Sequence, residues 1–464
     1  MTYLIGGLAF IFILGAAVVI HEFGHFIVAK MLKIRVETFS VGFGPRIFGR
    51  KWGTTDYRLS AIPLGGYVKL GGDESNAPIE GASASDIPPE EQFNLRPRWQ
   101  KFLVSVAGPV MNILTALAIP FVGAMVYGVP VMPAPIVMSV AENGAGAVAG
   151  IKPGDRIVSF DGKENPTWDR IVNDALISPE QPLPVIVERD GQRLPLTIKP
   201  TRRTDDRGNA LGSLDIEPDS GAKPVIVGNI VEGSPAKQAG LLPGDRFISI
   251  NGELMRTKEQ VRQYILDHKT EPLRLTVERN GQRQDITANV GRLPDGQEGL
   301  GFFFGREPLE RVGAGAAASY AVNTNIEILR LTGKALGQVF SGQRSVRDTL
   351  SGPIGIAQES SRVANDLGWE GVLFMLAFMS LNLGIFNLLP IPVLDGGAIF
   401  ILLIEAVLAV VGMKLSMTVR ERIQQVGFVM LLLLMGFVIT NDLLKVASSW
   451  RNSKQPPAAT APQK

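Results

Sequence analysis

Charge is absent from four long stretches of the chain, and those stretches set its architecture. Residues 1–20 contain no charged side chain, and Leu4 to Ile20 are almost wholly apolar. Phe102–Gly128, Val372–Leu394 and Val426–Asn441 are likewise uncharged. The hydrocarbon core of a bilayer takes a helix of about 20 apolar residues. The pattern therefore predicts four transmembrane helices, within 1–30, 102–128, 369–397 and 423–447. No basic segment precedes the first apolar run, which favours a retained helix over a cleaved signal peptide. Ala398 to Met413 is apolar apart from Glu405 and reads as a short interfacial or re-entrant helix within 398–422.

Between the first two spans the period changes. Residues 31–101 are polar and basic, with short apolar pieces punctuated by Gly and Pro: Val41-Gly42-Phe43-Gly44-Pro45, then Leu59 to Leu70 around Gly65-Gly66. Breakers and alternation predict short strands or a hairpin in a cytosolic, membrane-associated loop. Either it is an ordinary hairpin, or its edge lies near the active centre and pairs with an extended substrate. Residues 73–91 read as an irregular loop. Further on, 309–368 mixes amphipathic helical pieces, and 448–464 ends in a Pro/Ala-rich tail expected to be disordered.

Residues 135–290 contain a repeat. Ala149-Gly150-Ile151-Lys152-Pro153-Gly154-Asp155-Arg156 returns as Ala239-Gly240-Leu241-Leu242-Pro243-Gly244-Asp245-Arg246, 90 residues later. At the same offset Asp161-Gly162 returns as Asn251-Gly252, and Val187-Glu188-Arg189 as Val277-Glu278-Arg279. A constant offset of that length means two copies of one compact domain. Each copy reads as strand, short helix, Pro-Gly-Asp turn, strand, Asp/Asn-Gly turn, helix and hairpin. This order resembles PDZ domains, placed at 129–220 and 221–308. The resemblance implies α/β folds that take peptide C-termini or extended segments on a sheet edge. Gly299-Leu300-Gly301-Phe302 is similar to the carboxylate loop of that family, although it stands at the end of the second copy.

Composition narrows the chemistry. The chain has 464 residues, 45% of them hydrophobic, and a net charge of +2. No basic, aromatic-interleaved patch points to nucleic acid. The absence of Cys excludes disulfides, thiolate metal sites and Cys nucleophiles together. Any metal must be held by nitrogen and oxygen. Charge also orients the chain: residues 1–29 have no Lys or Arg, whereas Lys30 to Lys101 carry eleven. By the positive-inside rule that loop faces the cytoplasm, with the repeated domains and both termini on the other side.

Candidate chemistry stands at the end of the first span, in His21-Glu22-Phe23-Gly24-His25. Histidines four apart on a helix share a face and reach one ion, and the Glu between them reaches a water on it. Ionisable groups in a membrane helix are costly and functional by default. Asp395 follows Pro390 and Pro392 at the broken end of the third span, where a carboxylate needs a partner. With no Cys, and no other His in the spans, Asp395 is the natural third ligand of a catalytic zinc, which keeps its fourth position for water. Asn112, a lone amide in the second span, either bonds a neighbouring helix or lines the site, and joins the substrate-binding candidates.

Taken together, H-E-x-x-H, the tandem insert and Asn387-x-x-Pro390-x-Pro392-x-Leu394-Asp395-Gly396 resemble the site-2 protease family, and within it the bacterial regulator of sigma-E protease branch. The resemblance covers nearly the whole chain. It implies an intramembrane zinc metalloprotease of a bacterial inner membrane, with Zn2+ on His21, His25 and Asp395 and Glu22 as general base. Asn382 and Asn387 would help to bind substrate, and the Gly65-Gly66 strand would guide it. Substrates would be single-span membrane proteins, such as an anti-sigma factor in envelope stress signalling or signal-peptide remnants, filtered by periplasmic PDZ domains. Many members carry His after L-D-G-G, where this chain has Ala398. A membrane-tethered PDZ adaptor with a vestigial metal site is the competing reading. A prenyl-protein type zinc protease is a further one, but it would need a distal Glu ligand and no PDZ pair.

Overall fold

The computed structural model describes residues 2–73, 86–204, 210–219, 225–293, 298–305, 309–349, 351–413 and 415–453. The chain divides into two compact units, one formed by 1–126 with 312–464 and the other by 127–311.

The first unit is helical. Its long helices are α1 (Thr2–Met31), α2 (Arg98–Tyr127), α3 (Ala314–Phe340), α4 (Pro353–Asn387), α5 (Asp395–Val410) and α6 (Met417–Ser453). Four segments are long and apolar enough to cross a membrane: Gly6–Met31, Arg98–Tyr127, Leu367–Asn387 and Arg422–Lys445. Two boundaries differ from the sequence expectation. The third span ends at Asn387, and Asp395 opens the next helix instead of closing that span. Pro390 and Pro392 lack the amide that a continued helix needs and disfavour helical backbone just before them. At the other end α6 runs on to Ser453, into the stretch expected to be disordered; 454–464 and 74–85 lie outside the described residues.

Helix α1 packs against α4 through Ala9, Ile13, Val372 and Met375. Gly368, at φ 64° and ψ −146°, breaks α4 into an N-terminal piece and the span itself. That N-terminal piece is capped from a distance: buried Asp442 of α6 accepts the Gly352 and Gly355 amides at 2.9 and 3.0 Å. A carboxylate at a helix N-terminus meets unpaired N–H groups and the positive end of the dipole. Asp442 lies within the expected last span, 423–447, directly after its uncharged run, and the sequence alone assigned it no role.

Strands β1 (Val36–Trp52) and β2 (Thr55–Leu70) form an antiparallel pair that folds back on itself. Phe39 is paired with both Val68 and Tyr57, and Val41 with both Gly66 and Leu59, while Phe48 pairs with Leu59 and Trp52 with Thr55. The strand order is therefore 46–52, 55–60, 36–41, 66–70, with 66–70 an edge. Gly65, at φ 103°, supplies the turn into that edge, and a Cβ there would stand 2.9 Å from the Phe43 ring.

In the second unit the repeat is realised element by element. Helices Ala145–Val148 and Pro235–Gln238 and strands Arg156–Phe160 and Arg246–Ile250 keep the 90-residue offset, as do hairpins 183–198 and 273–288; helices Trp168–Leu176 and Lys258–Asp267 keep it at their starts. Each copy has its own core, around Phe160, Ile171 and Val187 in one and Phe247, Val261 and Val277 in the other. The repeated polar residues explain themselves here. Arg189 donates to both oxygens of buried Asp155 at 2.6 and 2.7 Å, and Arg279 to both of Asp245 at 2.7 Å. Each Arg also reaches a carbonyl, of Gly150 or Gly240, and each Asp closes its own turn by accepting the amide of Lys152 or Leu242. A bidentate fork of this kind fixes geometry. The Pro-Gly-Asp turn is thus tied to the hairpin in both copies.

Candidate metal centre

Three candidate ligands converge from two helices far apart in the chain. His21 and His25 lie one turn apart near the C-terminal end of α1, and Asp395 is the first residue of α5. His21 Nε2 stands 3.0 Å from Asp395 Oδ2, His25 Nε2 3.4 Å from Asp395 Oδ1, and the two Nε2 atoms are 3.3 Å apart. His21 is buried, and the other two are half-buried. Val393, just ahead of Asp395, holds φ at 85°. For a β-branched residue that is a strained conformation, of the kind that persists where the surroundings over-determine it. With the two prolines it turns the chain back towards α1.

The donor set suits a zinc ion. Atoms bound at about 2.0–2.1 Å in a tetrahedral site stand about 3.3 Å from one another; the two Nε2 atoms are 3.3 Å apart, and each has its own Asp395 oxygen nearby, Oδ2 at 3.0 Å from His21 and Oδ1 at 3.4 Å from His25. The outward ring nitrogens also have partners. His25 Nδ1 donates to the Val104 carbonyl at 2.7 Å, which leaves Nε2 as the lone-pair nitrogen. His21 Nδ1 lies 3.2 Å from the Asn112 amide. Between them the α2 backbone comes so close that a Cβ on Gly108 would sit 2.4 Å from His25 Nε2 and 2.8 Å from His21 Nε2. A Cβ on Gly24 would likewise meet the Ala107 carbonyl at 2.3 Å. Both positions need glycine.

Glu22 is beside the cluster, where its Oε2 accepts the Val68 amide at 3.1 Å. That amide belongs to the edge strand 66–70, which pairs with 36–41 on its other side. Gly66 lets the strand pass close to its neighbour and to α1: a Cβ there would meet the Ser40 carbonyl at 2.5 Å and Val19 Cγ2 at 3.6 Å. Of the other sequence candidates, Asn387 brings its amide within 3.3 Å of His21 Nε2. Asn382 donates to the Phe378 carbonyl of its own helix at 2.8 Å. Asn112 is wholly buried behind His21. Glu405, the alternative acidic residue of this region, pairs instead with Arg98 and Arg420, at 4.0 and 3.9 Å. Sequence reasoning missed Val104, Gly108 and Val68. Gly108 alone carried a signal, as a glycine one turn ahead of the lone amide in the uncharged run 102–128.

Comparison with known proteins decides the family. The model for peptidase family M50 matches residues 9–434. The chain belongs to peptidase family M50, the site-2 proteases. It is 32% identical to the regulator of sigma-E protease of Escherichia coli K12, over 94% of this chain and 98% of that protein. A Pasteurella multocida protein provisionally named a zinc metalloprotease is 31% identical, over 96% of this chain and the whole of that protein. The corresponding protease of Yersinia pestis is 32% identical over 94% of this chain and 98% of that protein. Family membership makes this chain a metalloprotease of the site-2 type.

Proposed function

We propose that the chain is an intramembrane zinc endopeptidase of a bacterial inner membrane that cuts single-span proteins within or near their transmembrane segment. His21, His25 and Asp395 hold the zinc ion, and Glu22 is the general base. The observation that carries this reading is the meeting of two Nε2 atoms and one carboxylate within 4.8 Å of one another, with Glu22 alongside. When bound, zinc acts as a Lewis acid on the peptide carbonyl and acidifies water. Glu22 takes the proton of the attacking water and delivers it to the departing amine.

A transmembrane helix buries its carbonyls in its own hydrogen bonds, so a substrate has to unwind before it can be cut. The edge strand 66–70, guided into place by Gly65 and Gly66, replaces those bonds by strand addition, and Val68 sets its register against Glu22. Asn387, beside His21 Nε2, orients the scissile peptide, and Asn382 lies further along the same helix. The two inserted copies act as PDZ domains outside the membrane, screening substrates by their outer parts, while the metal site lies near the cytoplasmic face. Relatives named for sigma-E regulation point to substrates of the anti-sigma type.

Separating ligand from base tests the reading. His21→Ala, His25→Ala and Asp395→Ala should each lose zinc, since two ligands remain. Glu22→Gln should keep zinc and lose activity by about 10²–10⁴. Full zinc and full activity in Asp395→Ala would place the third ligand elsewhere.

A further inference from the structure

One stripe of α2 attends to both histidines. Val104, Gly108 and Asn112 are four residues apart and share a helix face. The Val104 carbonyl takes the His25 Nδ1 proton, Gly108 leaves room for both rings, and Asn112 stands at His21 Nδ1. Asn112 is completely buried, and α4 closes over it: a Cβ on Gly384 would touch Asn112 Cβ at 3.3 Å. An amide so enclosed cannot meet a substrate strand. Its Oδ1 nevertheless has no hydrogen-bond partner among the described residues, a condition that costs free energy in a buried oxygen.

We propose that Asn112 is the positioning residue of His21, and that its Oδ1 accepts the His21 Nδ1 proton so that Nε2 is reserved for the metal. The inference rests on His21 being a zinc ligand. A neutral imidazole carries one N–H and one lone pair, so a ring that ligates through Nε2 is protonated at Nδ1 and needs an acceptor there. Val104 offers His25 a carbonyl, which can only accept. His21 faces an amide, which offers either an oxygen or an NH2, and a half-turn of that amide exchanges the two. The half-turn brings the orphaned oxygen onto the ring N–H. The freed NH2 is then a donor of the kind that, elsewhere in these helices, bonds a carbonyl four residues back, as Asn325 does to Ala321 and Asn382 to Phe378. Both histidines are thereby held in the same tautomer, from one face of one helix.

Zinc affinity, measured on the full-length protein in detergent against chelators of graded strength, tests this apart from activity. Asn112→Leu fills the same space without an acceptor and should weaken zinc binding about 10- to 100-fold, as loss of an outer partner of a metal-bound His does. Asn112→Asp keeps an acceptor oxygen and should recover most of that loss. Asn325→Leu removes another buried amide, one that bonds the Ala116 carbonyl of the same helix; it should lower thermal stability but leave zinc affinity alone. Wild-type affinity in a folded Asn112→Leu protein, or equal weakness in Leu and Asp variants, overturns the proposal. Failure of His21→Ala to weaken zinc binding would remove the ligand assignment itself, and this inference with it.

Discussion

Val68 and Glu22, 46 residues apart in sequence, meet through one hydrogen bond from the Val68 amide to Glu22 Oε2. The group proposed as base is therefore held by the strand proposed to align the substrate. A misplaced sheet edge would displace the base as well.

Val68→Pro removes that amide at an edge, where proline is tolerated. Cleavage should fall at least about tenfold from lost orientation while zinc content stays unchanged. Val68→Ala, which keeps the amide, should stay near wild type in the same cleavage and metal assays. Equal activity in the Pro variant would mean that the edge does not hold the base.

Gly108→Ala adds one methyl group where two imidazole nitrogens leave no room. Zinc occupancy and activity should both collapse. Gly123→Ala lies on the same helix with nothing within 4 Å of its Cβ, so helix propensity and insertion are matched while the site is untouched. Metal analysis of the two purified variants distinguishes close approach from a general intolerance of α2.

Acid should destabilise the inserted unit before neutral conditions do. Burial works to raise the Asp215 carboxyl, but the Ser213 and Thr201 hydroxyls, the Ala145 amide and Arg203 outweigh it and bring it down to about 2. Burial is likewise outweighed at Asp155 by Arg189 and the Lys152 amide, and at Asp245 by Arg279 and the Leu242 amide, so both are lowered. A carboxyl depressed in the folded state stabilises fully above its unfolded value of about 3.9 and stops doing so as pH falls through the folded one. Calorimetry should show the midpoint of this unit dropping between about pH 4 and pH 2. Asp215→Asn should lower it by several degrees, about 5 °C, at neutral pH and make the acid drop shallower.

The insert should lie across the membrane from the basic loop and should restrict substrates. Because the chain has no Cys, single cysteines at exposed Asn165 and Glu90 can be labelled cleanly in spheroplasts. An impermeant reagent should modify the first and spare the second; labelling of both from one side would overturn the orientation. Replacing 135–305 by a flexible linker should preserve cleavage of a short substrate and admit ones with bulky outer domains. Lost cleavage in a folded, zinc-loaded deletion would make the insert a delivery element instead.

Much of this protein was legible from local pattern. Uncharged runs announce spans because a bilayer penalises charge wherever it falls, and a 90-residue echo announces two copies because identical turns need identical residues. His21, Glu22 and His25 were readable for the same reason: helical spacing alone puts both rings on one face. Asp395 could be nominated by elimination, but its place at the start of α5, turned back by Pro390, Pro392 and a strained Val393, depends on a turn that sequence spacing does not encode. The rest came from tertiary packing. Val104 acts through a backbone carbonyl and Val68 through a backbone amide, and neither has a residue type to announce it; Gly108 acts through the absence of a side chain, which its residue type shows only once the close approach is known. Asn112 was visible as a lone amide in a span. Only the packing of α2 behind His21 and under Gly384 shows that it faces a histidine and is closed off from any substrate.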